Sequence, residues 1–541
     1  MSRTVFRAAA AFDGHRYRGP TDVWIEGGRI VWVDHGNGNP PRTTFGPPDN
    51  YVDAAFLSPG FVDAHVHAVQ GGLERIRCDL SGVTGRDGYL AAIATYAEEQ
   101  PEVPWILGGG WAMAAFPGGT PTAGDLDRVV ADRPVYLPNR DHHGAWVNSR
   151  ALELAGVDAM TPDPPHGRIE RDADGHPTGT LHEGAMGLVS RHAPDGDPDE
   201  YYRGLLAGQG YLHSLGVTGW QDAIVGDYAG MQDPGPTYLA AARRGDLTAY
   251  VVGALWWDRE LGEEQVESLV ERRKDYSHGR FRATSVKIMQ DGVAENFTAA
   301  MTSPYLDASG EATANAGLSF VNPVALRHYV ARLSAEDFQV HVHAIGDRAA
   351  REALDAFAAA DRPDLRHHIA HLQVVHPDDV PRFATVGVAA NIQALWACLD
   401  DQMVDLTLPF LGGPRGTWQY PFGDLHRSGA RLVAGSDWPV STPDPLAAIH
   451  TAVNRLAHGA KGREGQEPFL PEQAISLEAA FAAYTSGSAW VNHRDDAGVL
   501  TPGAVADLVV LDRDPFTDDR GAIGDTKVVS TWVDGVPVFE V

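Results

Sequence analysis

The middle of this chain repeats one pattern: short apolar runs alternate with stretches of helical spacing. The runs are FLSPGFVDAH, WILGGG, VYLPNR, LGVTGW, TSVKIMQDG, FQVHVHAIGD, RHHIAHLQ, VGVAANIQ and RLVAGSDWP. Helical patterns lie between many of them, as at Arg348 to Ala360 and Leu477 to Tyr484. Parallel strands need a crossover of a dozen or more residues, usually a helix. The alternation therefore predicts an α/β fold built of parallel βα units. There are nine runs, one more than an eight-stranded barrel takes. One of them, VYLPNR or WILGGG, is assigned to an insertion.

The two ends of the chain read differently. TDVWIEGGRIVWVDHG alternates around Gly27-Gly28 as a hairpin does, and VVSTWVDGVPVFEV turns at Asp534-Gly535. Together they are expected to form one antiparallel unit, with a separate N-terminal strand domain as the alternative. The expected division is residues 1–56 and 491–541 in that unit and 57–490 in the barrel, with an insertion at about 72–200. PDPPHGRIERDADGHPTG marks a surface excursion within the insertion.

Length and charge narrow the classes. The 541 residues carry 43 basic and 72 acidic side chains, a formal charge of −29. That disfavours nonspecific binding to nucleic acid or to an anionic membrane. No apolar stretch is long enough to span a bilayer, and the N-terminus does not read as a signal peptide. Two cysteines, Cys78 and Cys398, suit a reduced, cytoplasmic setting better than a disulfide scaffold. A homodimer stays open, on the prior for soluble enzymes alone.

The polar residues at the strand ends carry the chemistry. His65 and His67 close the first run, and residues i and i+2 of a strand face one side. His343, His371 and Asp437 end later runs, and Lys287 lies in TSVKIMQDG. Groups gathered at the C-terminal ends of parallel strands describe a barrel mouth. Imidazoles and a carboxylate there predict a divalent metal, Zn²⁺ or a related ion. Asp437 is also placed to accept a proton from a metal-activated water; the alternative is a helix cap or an Asx turn before Pro439. Lys287 either snorkels, pairs with Asp291, or carries a carbamate. Asp63, His341, His367 and His368 either orient the imidazoles or pack. GGRI and LGGG match no nucleotide-binding pattern, and no Gly-x-Ser-x-Gly elbow is present.

These residues resemble the amidohydrolase superfamily, and within it the amidohydrolase 3 group of YtcJ-like and N-substituted formamide deformylase-like proteins. The resemblance rests on SPGFVDAHVH, LGGGWAMAAFPGGTPTAGDLD, RDHHGAWVNSRAL, GTLHEGA, VKIMQDG, VHAIGDRA, AGSDWPV and GAVADLVVLD, and covers nearly the whole chain. It implies a distorted (β/α)₈ TIM-like barrel with a small β-sandwich built from both chain ends. It implies hydrolysis of a non-peptide carbon–nitrogen bond in a small-molecule amide. By motif match, His65, His67 and Asp437 would bind one metal and His343 and His371 a second, with Lys287 as a bridging N6-carboxylysine. His143 matches a family position and is expected to act on substrate.

The chain departs from the group's pattern where substrate would lie. Ala370 stands where members often have Glu, NIQALWACLD replaces a Pro- and His-containing segment, and DGVAENFTAA supplies Glu295 and Asn296. Trp111, Trp396 and Trp438, with Asp291, Glu295 and Gln393, are the expected pocket residues, and core or lid packing is the alternative for the tryptophans. An N-substituted amide or formamide is the expected substrate. A cyclic amide, ester or lactone, or a catalytically inactive binding protein, are the alternatives.

Overall fold

A computed structural model describes residues 3–36, 47–194, 196–228, 230–459, 467–517 and 519–541. Residues 1–2 and 37–46 of the expected N-terminal unit lie outside these.

Eight strands run parallel in one sheet: Phe61–Val66, Val217–Val225, Tyr250–Trp256, Phe281–Met289, Gln339–Ala344, His368–His371, Ala389–Ile392 and Leu432–Ala434. We number them as barrel strands one to eight. The nine runs of the sequence supply seven of these. WILGGG and VYLPNR both belong elsewhere, and the third strand, YVVGALW, was not among the nine.

The barrel closes without a ladder between strands eight and one among the described residues. Backbone hydrogen bonds just past the strand ends do the joining. Asp437 N donates to His65 O at 2.7 Å and His67 N to Trp438 O at 2.8 Å. The Asp63 carboxylate adds a clamp, accepting from His65 N at 3.0 Å and Ser436 N at 3.1 Å. Gly435 makes the approach close enough. A Cβ there would meet the Cβ and backbone N of His65, both at 2.6 Å.

Strand parity sorts the barrel residues. In strand five Val340, Val342 and Ala344 face outward and join Leu333, Leu354 and Phe357 of the helix layer in the main core. Gln339, His341 and His343 face the barrel axis. Helices such as Pro323–Ala335 and Asp347–Ala360 cover the outer face, so both faces of the strand are buried.

WILGGG and VYLPNR contribute Ile106–Gly109 and Val135–Pro138 to a six-stranded sheet outside the barrel, with its own small cores around Trp111 and Tyr136. The chain ends share a further sheet, the sandwich part, in which Leu508–Leu511 pairs antiparallel with Asn50–Pro59. Its side chains alternate: Phe56, Val509 and Leu511 pack on the barrel, while Leu57, Leu508 and Val510 form a separate core. Both expected hairpins are present, with positive φ at Gly27, Gly28, Asp534 and Gly535 as such tight turns require. Among the described residues no helix is long and apolar enough to cross a membrane.

The seam can be tested. Gly435→Ala places a methyl against the His65 backbone, and overpacking of this kind costs about 1–3 kcal/mol. Urea unfolding of the variant should show that loss. Wild-type stability would mean that strands one and eight separate without cost.

Candidate metal centre

Strands one, four, five, six and eight release His65, His67, Lys287, His343, His371 and Asp437 at or near their C-terminal ends, so these side chains converge. Asp437 stands at the middle. Its Oδ1 lies 3.1 Å from His65 Nε2 and 3.0 Å from His67 Nε2, and its Oδ2 lies 3.9 Å from His371 Nδ1. His65, His371 and Asp437 each offer one ligand atom, all within 4.8 Å of one another and all on buried residues. This cluster draws His371 to the two residues His65 and Asp437. Lys287 touches its edge, with Nζ 3.4 Å from His65 Nε2. His343 stands beside it, its ring centroid 4.4 Å from that of His371. Asp437 (φ 56°) and His371 (φ 82°) both hold left-handed backbone, which costs of order 1–3 kcal/mol each and is common at functional sites.

The residues fit a divalent cation. His371 Nδ1 is buried and has no hydrogen-bond partner, although a carboxylate lies on its side of the ring. A metal ligand is a role in which such a nitrogen is satisfied. Protonation agrees. Burial lowers His65 to about 3, with the neighbouring Lys287 adding to it. Burial first holds both His343 and His371 well below the ordinary range, with Lys287 and His143 adding to it for His343 and the neighbouring His343 and His65 for His371. Neutral imidazole is the ligating form. Burial pushes the Asp437 carboxyl up, but His65 and His67 outweigh it and hold the group well below the usual carboxylate value. Burial brings Lys287 down to about 7.

Across the mouth stands a buried ion pair. His143 Nδ1 lies 3.0 Å from both carboxylate oxygens of Glu183, and Thr298 Oγ1 donates to Glu183 Oε1 at 2.9 Å. Burial alone would lower His143, but Glu183 reverses this and raises it to about 9. Its ring is 5.7 Å from that of His343.

A cavity of about 630 Å³ opens onto this group and is lined by His143 and all six expected ligands; the volume is that of a small-molecule site. Tyr228, Trp256, Met289, Leu395, Trp396 and Trp438 give it an apolar side. Trp396 also stacks on His371, at 5.4 Å and 18°. Of the expected pocket residues, Glu295, Trp396 and Trp438 line the cavity. Trp111 instead sits in the core of the six-stranded sheet, with its indole N–H on Leu137 O. Asp291 accepts backbone N–H groups from Ala300, Ile345 and Gly346. Gln393 Oε1 holds the backbone N–H of His371 at 2.7 Å. These three do not line it.

Of the expected orienting groups, His341 touches His65, with Nε2 3.0 Å from His65 Nδ1. Asp63 binds backbone N–H groups, His368 reaches the site through Gln221 on one side and Asn391 on the other, and His367 faces Ser334 and Val340 N. Sequence reasoning missed Glu183, Gln221, Gln339 and Asn391. Gln221 had a visible signal, a long polar side chain continuing an apolar run as Lys287 does. Glu183 lay within the quoted GTLHEGA, but nothing in the sequence paired it with His143.

The sequence model of the amidohydrolase family matches residues 53–539. The Bacillus subtilis amidohydrolase-family protein YtcJ is 29% identical over 527 residues, covering 96% of this chain and 96% of its own length. The N-substituted formamide deformylase of Arthrobacter pascens is 26% identical, covering 96% and 94%. An uncharacterized metal-dependent hydrolase of Pyrococcus horikoshii OT3 shares the fold, with a TM-score of 0.73 at 24% identity over 96% of this chain and 99% of that one. The chain belongs to the amidohydrolase family, and the His65–His371–Asp437 cluster at its barrel mouth makes it a metal-dependent hydrolase.

Proposed function

We propose that the protein hydrolyses N-substituted amides, N-substituted formamides foremost, at a Zn²⁺ centre of one or two ions. One observation carries this reading: an aromatic-sided cavity ends on neutral imidazoles, an anionic Asp437 and a cationic His143. Such a cavity takes an apolar N-substituent on one side and presents the scissile carbonyl to polar groups on the other. The formamide class is supported by the Arthrobacter relative, which aligns with nearly the whole chain.

His65, His371 and Asp437, with His67, His343 and Lys287 beside them, would hold the metal, which supplies Lewis acidity to water and to the carbonyl. Asp437 is anionic and accepts the proton of the attacking water. It then delivers that proton to the departing nitrogen. His143, kept charged by Glu183, donates a hydrogen bond to the carbonyl oxygen as negative charge gathers there. Lys287 is the carbamate site. With its ammonium near 7, a fraction of the amine is unprotonated at neutral pH. The ammonium first loses one proton. The neutral Nζ then attacks the carbon of CO₂, an N–C bond forms as one C–O π bond opens to a carboxylate oxygen, and a second proton leaves the nitrogen, so the cation beside His65 becomes an anionic ligand. The working unit is the barrel, residues 57–490, with the strand-rich ends as its support.

Chelation should abolish turnover, and added Zn²⁺ should restore it. In a panel of matched N-alkyl or N-aryl formamides, acetamides, cyclic amides and esters, kcat/KM should be highest for the formamides. A preference for esters or lactones would move the assignment to that class. Asp437→Asn should lower kcat/KM by about 10²–10⁴-fold, with metal content near wild type by mass spectrometry. Retained activity would remove the proton-carrying role.

The pH profile has a definite sign. His143 is charged below about 9, so kcat/KM should fall as pH rises through that value. Glu183→Gln removes the group that raises it, and the falling limb should move to lower pH. An unmoved limb would assign the titration to another group.

A further inference from the structure

Beneath the ligands the barrel interior holds polar side chains that do not line the cavity: Gln221, Gln339, His341, His368 and Asn391, each no more than 3% exposed. Their donors and acceptors can be assigned from backbone carbonyls inward, because a carbonyl only accepts. Gln339 Nε2 lies 2.9 Å from Arg366 O and 2.6 Å from Val491 O, which makes it the donor end and Oε1 the acceptor end. Gln339 Oε1 accepts from Gln221 Nε2 at 2.9 Å, which also donates to Asn492 Oδ1 at 3.0 Å. Gln221 Oε1 is therefore an acceptor. It meets His341 Nδ1 at 2.7 Å and His368 Nε2 at 2.9 Å, so both ring nitrogens carry the hydrogen.

A second chain reaches the same answer for His368. Asn391 Nδ2 donates to Ala64 O at 3.0 Å, and to His368 Nδ1 at 3.1 Å. The hydrogen-bond partners of His341 and His368 include no carboxylate, so each buried ring is neutral, with one N–H. His341 Nε2 is then a lone pair. It faces His65 Nδ1 at 3.0 Å, which must donate to it. In the neutral, ligating form of His65 that leaves the lone pair on Nε2. It points at Asp437 Oδ1, 3.1 Å away, a second electron-rich atom. Two such atoms at this distance repel unless a cation or a donor sits with them; Lys287 Nζ lies 3.4 Å from the same nitrogen, and a bound metal ion would meet both atoms.

We propose that this relay, from Arg366 O and Val491 O through Gln339, Gln221 and His341, holds His65 in the Nδ1–H tautomer, so that Nε2 is the atom presented to the metal. Gln221 and His341 are positioning residues. The proposal rests on reading the site as a metal centre. The second chain also ties in a neighbouring ligand, since Gln393 Nε2 donates to Asn391 Oδ1 at 2.9 Å while its Oε1 holds His371 N.

Zn²⁺ affinity of the full chain, measured by competition with a chromophoric chelator, reads the relay without any turnover assay. His341→Phe keeps an aromatic ring but gives His65 Nδ1–H no acceptor. Gln221→Met removes the oxygen that orients His341. Both should weaken binding by about 10–100-fold, the range typical for lost orienting partners of metal ligands. His341→Gln, whose amide oxygen can take the same N–H, should recover most of it. Wild-type affinity in a folded His341→Phe variant would overturn the relay. A wild-type protein with no measurable Zn²⁺ affinity would instead remove the metal centre. Neutron diffraction from wild-type crystals covers that case and the case of unfolded variants. Deuterium on Nδ1 of both His65 and His341 supports the assignment, and deuterium on His65 Nε2 overturns it.

Discussion

The contact between Asp437 and the first barrel strand is the one on which the rest depends. Its backbone N–H closes the barrel onto His65 O, and its carboxylate meets the imidazoles of His65 and His67. Closure and ligation are therefore one event in space. Strands one and eight make no ladder among the described residues, so the side-chain cluster sits where sheet hydrogen bonding is weakest. Asp63 and Gly435 serve the same junction, one as a clamp and the other by having no side chain. The left-handed backbone at Asp437 and His371 is held in place by this closed frame.

The barrel interior beneath that junction departs from the layers of branched apolar side chains usual in such barrels. Glutamine, asparagine and histidine fill it, and they are buried. Buried polar groups are tolerable only when paired. Here the amide groups of Gln221, Gln339, Asn391 and Gln393 bond to one another, to ring nitrogens or to backbone groups. The apolar requirement is met on the outer face of the strands instead, where the helices pack. Polar chemistry can thus sit at the centre of a large domain without dividing its hydrophobic core.

Parity made much of this legible in the sequence. HxH at His65 and His67, and again at His341 and His343, states which side of a strand turns inward. Positions at strand ends then state which side chains meet. The third strand, YVVGALW, is as apolar as LGVTGW, which also ends on tryptophan, and it supplies no ligand that would mark it as part of the site. WILGGG and VYLPNR have the same local composition as barrel strands, and only long-range pairing separates the two sheets. Trp111 was misleading for a related reason: an aromatic residue near a strand end packs equally well in a core or a pocket. The His143–Glu183 pair lay beyond reach because its partners are joined only through the folded insertion.

Burial itself explains why one small site holds three kinds of charge. Removing water disfavours every ionised form, and what differs is the partner. For His65, His343 and His371 burial is the largest influence and the nearby Asp437 carboxylate does not offset it, so they stay neutral. Asp437 has imidazoles around its carboxylate, and they more than offset burial. His143 has Glu183 on one nitrogen and stays charged. Lys287 has only the more distant pull of Asp437, and burial wins. The ligand, proton acceptor, hydrogen-bond donor and reactive amine of the proposed reaction would thus arise from one dry environment, distinguished by contacts a few ångströms long. Water admitted to the cavity floor would weaken all four at once, which is reason enough for the aromatic side of the cavity to lie against the ligands, as Trp396 does against His371.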